Sequence, residues 1–160
     1  MKTLIVSDTH GTSDNLMRAL HREQPVEKIV HLGDLMGLED TIEELTKVPC
    51  FMVKGNCDVY SFLPGESVIM LGAHRTFITH GHYYGVGYGH GEIRRHAESM
   101  DCDVVMYGHT HVPELIEEGG ITFVNPGSLS KPRQANHLPS YAVAEIDEQG
   151  EISFEIKYLQ

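Results

Sequence analysis

Five short polar segments carry the side chains with the most reactive chemistry, and each follows an apolar run. The segments are Asp8-Thr9-His10, Gly33-Asp34, Gly55-Asn56-Cys57-Asp58, Thr79-His80-Gly81-His82 and Gly108-His109-Thr110-His111. Ligand sites in α/β proteins gather at the carboxyl ends of strands, because the loops that leave neighbouring strands meet there. We therefore expect the five segments to form one shared site.

The types of these side chains indicate a metal site. Carboxylate, amide and imidazole groups without a thiolate pair suit borderline divalent ions, whereas calcium and magnesium prefer more oxygen ligands. Asp8 and His10 are two residues apart, and so are His109 and His111. In an extended segment such pairs point to the same side and can hold a common ion. Glycines before these residues would permit the tight turns that convergence requires.

We assign the ligands to two ions that share one carboxylate. The first ion is assigned Asp8, His10, Asp34 and His111, and the second is assigned Asp34, Asn56, His80 and His109. Manganese is the ion that we expect first, with nickel, iron, zinc, cobalt and magnesium as alternatives. Any one of these residues alone is as consistent with an ordinary turn or cap, but their joint occurrence favours a metal site.

Two such ions would give the chain hydrolytic chemistry on phosphate esters. Ions about 3.5–4 Å apart can bind both non-bridging oxygens of a phosphate, lower the pKa of a bridging water and stabilise charge on the attacking and leaving oxygens. No competing nucleophile stands out, since Gly127-Ser128 lacks the Gly-x-Ser-x-Gly elbow and the chain has no Gly-x-x-x-x-Gly-Lys phosphate loop. The sequence therefore favours metal-assisted hydrolysis.

The elements that must position these segments alternate in the first half of the chain. Strands are predicted at 3–7, 28–32 and 51–54, and helices at 13–23 and 38–47. Ser13 is the expected N-cap of the first helix. This order is typical of a βαβαβ unit with parallel strands.

The second half of the chain is rich in strands. A hairpin is predicted from strands 67–71 and 75–79, followed by a helix at 91–100 and strands at 104–107, 114–118, 121–125, 141–147 and 152–158. The sum predicts an α/β protein with two stacked mixed β-sheets flanked by helices. Residues 1–160 are expected to form a single domain.

Composition argues against several classes of function. The formal net charge of −11 has the wrong sign for binding the phosphate backbone of duplex nucleic acid. No apolar stretch is long enough to span a bilayer, so no membrane partner is expected. The three widely spaced cysteines fit neither a disulfide framework nor a cysteine-rich zinc site, and we expect a cytoplasmic protein.

The five segments, in this order, resemble the motifs of the calcineurin-like metallophosphoesterases. Within that superfamily the chain is similar to the small YfcE-like phosphodiesterases, from roughly Leu4 to Ser128. The resemblance implies a four-layer α/β/β/α sandwich and a binuclear metal centre with the ligands assigned above. It implies hydrolysis of a small phosphodiester by a hydroxide that bridges the two ions, without a covalent intermediate. It also implies a homo-oligomer, either a dimer or a tetramer.

The sequence departs from many superfamily members directly after Asn56. Those members have a histidine there, which is thought to stabilise the transition state or to protonate the leaving group, whereas this chain has Cys57, as the small phosphodiesterases do. A thiol with a pKa of about 8.5 is a poorer proton donor to a leaving oxygen than an imidazolium. We therefore expect rates that depend strongly on leaving-group acidity. Asn56, Cys57 and His82 are the candidate catalytic residues, and His82 is the alternative source of proton transfer or of a phosphate contact.

Three alternatives stand beside a phosphodiesterase. The nearest is a phosphomonoesterase, and the second is a nuclease that acts on a small or single-stranded substrate. The third is a non-catalytic, metal-binding scaffold of the same fold. Such scaffolds tend to lose metal ligands, whereas this sequence keeps all seven.

Two other segments bear on the substrate. The stretch 83–91, rich in tyrosine and glycine, is either a surface that stacks on a planar group or an ordinary loop with packed tyrosines. Lys131-Pro132-Arg133 either holds an anionic group of the substrate, contacts a partner subunit or is a simple exposed turn. No ligand role is expected for the remaining histidines, at 21, 31, 74, 90, 96 and 137.

Overall fold

The structure is a computed structural model that describes residues 1–160. The first part of the chain contains β1 (Lys2–Val6), α1 (Asp14–Glu23), β2 (Lys28–His31), α2 (Ile42–Thr46) and β3 (Cys50–Met52). The second part contains β4 (Glu66–Leu71), β5 (His74–Thr79), α3 (Gly91–Ser99), β6 (Val104–Met106), β7 (Glu114–Glu118), β8 (Ile121–Asn125), β9 (Ser140–Ile146) and β10 (Ile152–Tyr158). None of the helices is long and apolar enough to cross a membrane.

The strands form two mixed five-stranded sheets. The first has the order β10-β9-β1-β2-β3, in which β1, β2 and β3 are parallel neighbours and β9 runs antiparallel to both β1 and β10. The second has the order β4-β5-β6-β8-β7, with parallel strands at its centre and antiparallel strands at its edges. The predicted ligand segments follow the carboxyl ends of β1, β2 and β3 in the first sheet and of β5 and β6 in the second.

Three apolar layers show how the sheets and helices stack. Leu4 and Val6 pack with α1 on the outer face of the first sheet, whereas Ile5 faces the second sheet, as the two-residue period of a strand requires. On the outer face of the second sheet, Ile93 and Ala97 of α3 pack in a third cluster. The predicted α/β/β/α arrangement is confirmed.

The second predicted helix differs from the expectation. Residues 38–47 divide into a 3-10 turn, Leu38–Asp40, and the short helix α2, with Thr41 at φ −128° between them. Continuous helix would place Glu39 beside Glu43 and Asp40 beside Glu44, four residues apart, and like charges at that spacing are destabilising. Charge repulsion therefore favours the break.

The first helix begins at the predicted place but without the predicted cap. Ser13 occupies the N-cap position, yet its side chain makes no capping hydrogen bond. Residues His82–Tyr84 form a 3-10 turn that the sequence analysis did not predict.

His74 joins the two sheets at the end remote from the predicted ligand segments. It begins β5 of the second sheet, and its Nδ1 lies 2.8 Å from Asp103 Oδ2. Its Nε2 lies 3.3 Å from Oε2 of Glu151, which directly precedes β10 of the first sheet. The hydrogen bond to Asp103 raises the pKa of His74, and Glu151 adds to that effect.

Replacement of His74 by glutamine should therefore cost stability only when the imidazole is charged. The interaction is fully present below the unfolded pKa of about 6.5 and is lost as pH rises through the higher folded value. We expect urea unfolding to give a loss of about 0.5 kcal/mol at pH 5.5, and none at pH 9, because exposed ion pairs contribute about 0.2–1 kcal/mol. His21→Gln, on the exposed surface, is the control. A loss of equal size at both pH values would contradict the charge argument.

Candidate metal centre

The predicted ligands lie in loops that leave five strands, and cross-loop hydrogen bonds hold these loops together. The backbone N–H of Asp8 donates to Gly33 O at 3.0 Å, and that of His10 donates to Asp34 O at 2.9 Å. In the second sheet, the N–H of Gly108 donates to His80 O at 3.1 Å. The loops of each sheet are thereby fixed relative to one another before any side chain is considered.

The backbone at most of these ligands is left-handed. Positive φ values occur at Asp8 (54°), His10 (47°), Asp34 (56°), His109 (69°) and His111 (59°). This region costs a residue with a side chain about 1–2 kcal/mol, and such strain clusters at functional sites. The premise that Asp8-Thr9-His10 is extended is therefore wrong, although its conclusion holds: tight turns, not a strand, bring the two side chains together.

One group of four side chains matches the ligand set assigned to the first ion. Ligand atoms of Asp8, His10, Asp34 and His111 all lie within 4.8 Å of one another. His111 Nε2 is 3.1 Å from Asp8 Oδ1, and His10 Nε2 is 3.8 Å from the nearest oxygen of each aspartate. These four groups can enclose one ion.

The residues assigned to the second ion lie directly beside this group. His80 Nε2 is 3.4 Å from Asp34 Oδ2, and His109 Nδ1 is 3.1 Å from Asn56 Oδ1. The rings of His80 and His109 have centroids 5.2 Å apart. Asp34 thus contacts both groups of ligands, as a bridging carboxylate would.

Buried polar atoms without partners provide a test of whether these residues fit a metal ion. Asp8 Oδ1, His10 Nε2 and His80 Nε2 are all buried and have no hydrogen-bond partner. Buried polar atoms are normally paired, because an unpaired one costs about 1–3 kcal/mol. The three atoms converge on one region, and a divalent ion there would satisfy them together. The residues fit the predicted metals.

The orientation of two imidazoles supports the same interpretation. His80 Nδ1 donates to Leu32 O at 2.6 Å, and His111 Nδ1 donates to Lys131 O at 2.7 Å. Because a carbonyl only accepts, each Nδ1 carries the hydrogen, and each neutral ring presents an unprotonated Nε2 to the centre. Carbonyl groups orient metal-binding histidines in this way in many proteins.

The carboxylate of Asp8 is ionised and oriented. Burial opposes its ionisation, but the nearby imidazoles of His10, His111 and His80 outweigh that effect and hold the pKa of Asp8 well below its usual range. Oδ2 of Asp8 accepts from the Ser7 hydroxyl at 2.6 Å and from the N–H of His109 at 3.2 Å. Oδ1 is left to face the centre.

A proton and a metal ion compete for the imidazole of His80. Burial lowers its pKa, but the neighbouring carboxylates of Asp34 and Asp8 prevail and raise the pKa above the ordinary value. Metal binding requires the neutral ring, so it must release this proton.

Three glycines leave room for the ligands and the groups that orient them. A Cβ on Gly55 would lie 2.1 Å from Asp34 Oδ1, and a Cβ on Gly33 would lie 2.7 Å from His80 Nδ1. A Cβ on Gly108 would lie 2.1 Å from Ser7 Oγ. Any larger residue at these three positions would displace a ligand or the group that orients it.

The candidate catalytic residues lie at the open side of the centre. Asn56 and Cys57 are exposed, and the N–H of Cys57 donates to Asp34 Oδ1 at 2.9 Å. Partial burial raises the pKa of the Cys57 thiol, and the charge of Asp34 adds to this, so the thiol is protonated at neutral pH. The ring of His82 lies 5.5 Å from that of His80, and burial together with the neighbouring imidazoles lowers the pKa of His82.

Sequence inspection missed two residues that shape the centre. His31 is fully buried; its Nδ1 accepts from Gly33 N–H at 3.2 Å, so its Nε2 donates to Thr9 Oγ1, 2.9 Å away. Burial lowers the pKa of His31 to about 4. Asp58 accepts from the N–H groups of Gly55 and Met36 at 2.7 Å and thereby joins two ligand loops. The sequence signal for His31 was a polar residue inside an apolar strand, and the signal for Asp58 was an acid three residues after a glycine.

Comparison with known proteins agrees with this geometry. Residues 1–149 match the calcineurin-like phosphoesterase superfamily domain, and the chain belongs to this superfamily, which uses divalent metals. The probable metallophosphoesterase YsnB of Bacillus subtilis is 32% identical over 148 residues, which cover 92% of this chain and 85% of YsnB. Phosphodiesterase YfcE of Escherichia coli is 29% identical, with 92% and 89% covered.

A solved structure supports the same fold. The crystal structure of a predicted phosphoesterase from Streptococcus pneumoniae superposes with a TM-score of 0.81 at 32% sequence identity. The superposition covers 96% of this chain and 87% of that protein.

Substitution of Gly55 by alanine should reduce metal binding, because the new Cβ would collide with Asp34 Oδ1. We expect the variant, purified without metal and then saturated with manganese, to retain less than about half of the wild-type metal content by elemental analysis, as a shift of about 1 Å in a ligand suffices to disrupt such a site. Gly65→Ala, where a Cβ meets nothing within 4 Å, is the matched control. Equal metal content in both folded variants would refute the steric argument.

Proposed function

We propose that this chain is a metal-dependent phosphodiesterase that hydrolyses a small phosphodiester with two divalent ions, manganese first among them. The observation that carries the proposal is the convergence of Asp8 Oδ1, His10 Nε2 and His80 Nε2, which are buried and unpaired. Membership of a phosphoesterase superfamily agrees with it. When bound, two ions would make hydroxide available near neutral pH and offset the charge of the phosphate.

The residues of the chain hold and orient the reacting groups. Asp34 is assigned to both ions, and Asn56 and His109 lie together at the exposed side, where the phosphate would enter. His82 stands beside them, and its lowered pKa makes it a neutral contact for the phosphate rather than a proton donor at neutral pH. Cys57 occupies the position at which many superfamily members have the histidine that is thought to protonate the leaving group.

Available space supports a diester in preference to a monoester. A cavity of about 700 Å³ adjoins His82 and His109 on the side away from the buried ligands. A diester carries two organic groups, and the cavity is large enough for one of them while the other leaves towards solvent. A monoester has no second organic group to place there while its leaving group departs.

Charge and composition support the setting that we propose for the enzyme. The net charge of −11 and the lack of a basic stripe argue for a small substrate and against duplex nucleic acid. Three free cysteines agree with a cytoplasmic location. A homo-oligomeric assembly is also part of the proposal, because the chain resembles the small phosphodiesterases.

The metal requirement can be tested on protein purified without metal. We expect manganese to restore hydrolysis of bis-p-nitrophenyl phosphate, with p-nitrophenyl phosphate hydrolysed at least about tenfold more slowly. Asp34→Asn should lower the rate by about 100-fold or more, since removal of an electrostatic catalytic group costs about 10²–10³. The control is Asp101→Asn, which removes the same charge at an exposed position with φ 55°, a backbone conformation that asparagine tolerates. This control should hydrolyse the diester at the wild-type rate. Failure of every metal to restore activity would refute the proposal and favour a scaffold.

The role of Cys57 can be tested with a series of aryl diesters of different leaving-group pKa. A protonated thiol is a weak acid, so we expect wild-type rates to fall steeply as leaving-group pKa rises. Cys57→His should raise the rate with phenol as leaving group by about tenfold or more, relative to p-nitrophenol, because general acids contribute about 10²–10⁴. Cys57→Ser supplies no better acid and should keep the wild-type slope. A flat dependence in the wild type would contradict this role.

A further inference from the structure

The cavity beside the metal centre has walls of distinct chemistry. One side is the segment 85–88, which ends at the fully exposed Tyr88, and the other side is the loop that follows His109. That second side consists of Thr110, Val112, Pro113 and Glu114. Because His82 and His109 also line the cavity, a group bound in it would adjoin a phosphate held at the metal centre.

Arg133 is the only lysine or arginine that lines this cavity. It is exposed, and its guanidinium has no carboxylate within 4.0 Å, unlike Arg94 and Arg95, which pair with glutamates on α3. Its backbone is fixed, since the N–H of Arg133 donates to His111 O at 3.0 Å. The backbone of Arg133 is therefore held beside a candidate ligand, and its guanidinium is free to bind a ligand in the cavity.

The single carboxylate of the cavity is occupied by other partners. Glu114 Oε2 accepts from the hydroxyl of Tyr107 and lies 3.0 Å from His90 Nε2. Glu114 is thus held towards the protein by these two groups and forms no ion pair with Arg133. Among the lysines and arginines that have no carboxylate partner, Arg133 is the one that lines the cavity beside the metal centre.

We propose that the cavity binds one ester group of the substrate and that Arg133 selects an ester group that carries its own negative charge. The substrate class is then a phosphodiester with a second anionic group, either carboxylate or phosphate. A planar guanidinium binds both oxyanions through paired N–H donors. The inference depends on the proposed phosphodiesterase function and adds the chemistry of the substrate to it.

The structure separates Arg133 from Lys131, its neighbour in the basic segment. Lys131 contributes its backbone carbonyl to His111 at 2.7 Å, and its side chain does not line the cavity. The selection is therefore assigned to Arg133 alone.

The test compares two p-nitrophenyl diesters of the same shape, one with a 3-carboxyphenyl group and one with a 3-carbamoylphenyl group. We expect the manganese-loaded wild type to favour the carboxylate by at least about fivefold in kcat/KM, the effect of one charge-assisted hydrogen bond. R133Q should bring this ratio near 1 by lowering kcat/KM for the carboxyl ester more than for the carbamoyl ester, and R133K should give an intermediate ratio. Lys47→Gln removes the same charge at an exposed site and should keep the wild-type ratio.

A third ester with a 3-phosphonophenyl group distinguishes the two anions. A preference for phosphonate over carboxylate supports a phosphate-bearing substrate, and the reverse order supports a carboxylate-bearing one. A wild-type ratio near 1 between the carboxyl and carbamoyl esters, or the same ratio in wild type and R133Q, would overturn the inference.

Calorimetric titration of the carboxyl and carbamoyl esters into the metal-free protein separates this inference from the proposed function. Tighter binding of the carboxylate that R133Q abolishes supports the selection by Arg133 even if no ester is hydrolysed, in which case the phosphodiesterase proposal fails. Hydrolysis of both esters at equal rates, with equal binding, refutes the selection and leaves the phosphodiesterase proposal intact.

Discussion

The structure depends on the close approach of two buried aspartates. Asp8 and Asp34 are almost completely withdrawn from water, and His80 Nε2 lies within 3.8 Å of both. Two ionised carboxylates at such proximity repel each other unless positive charge lies between them. The surrounding imidazoles supply part of that charge in the metal-free protein, and divalent ions would supply more. The site is therefore organised for cations before any substrate binds.

The scaffold holds this arrangement because β1, at the centre of the first sheet, is buried on both faces. Residues of β1 alternate between the outer helix layer and the layer between the sheets, so the strand cannot shift by one residue without exposing apolar side chains. The left-handed turns at Asp8 and Asp34 begin directly after such fixed strands. Packing of the sheets thus offsets backbone strain that an isolated loop of this sequence would relieve by adopting other conformations.

The order of elements and the seven candidate ligand positions follow from local sequence patterns, namely apolar runs and the polar residues at which those runs stop. The sequence does not predict the left-handed backbone at Asp8 and His10, since only contacts with the Asp34 loop select it. The roles of His31 and Asp58 are hidden for the same reason, because their partners lie in segments distant along the chain. Likewise, the sequence Lys131-Pro132-Arg133 offers two cationic side chains, and only the fold shows that Arg133, and not Lys131, lines the cavity.

Steric freedom divides the site into a part that cannot change and a part that can. At Gly33, Gly55 and Gly108 an added Cβ would overlap ligands or their supports, whereas at Gly87 beside the cavity it would meet nothing within 4 Å. Substitutions near the cavity therefore need not disturb the metal ligands. A protein built in this way can keep one metal chemistry while the groups that contact the ester vary, which is consistent with relatives that share about a third of their residues with this chain. Substrate preference should accordingly be sought in the cavity walls and Arg133, and not in the ligand cage.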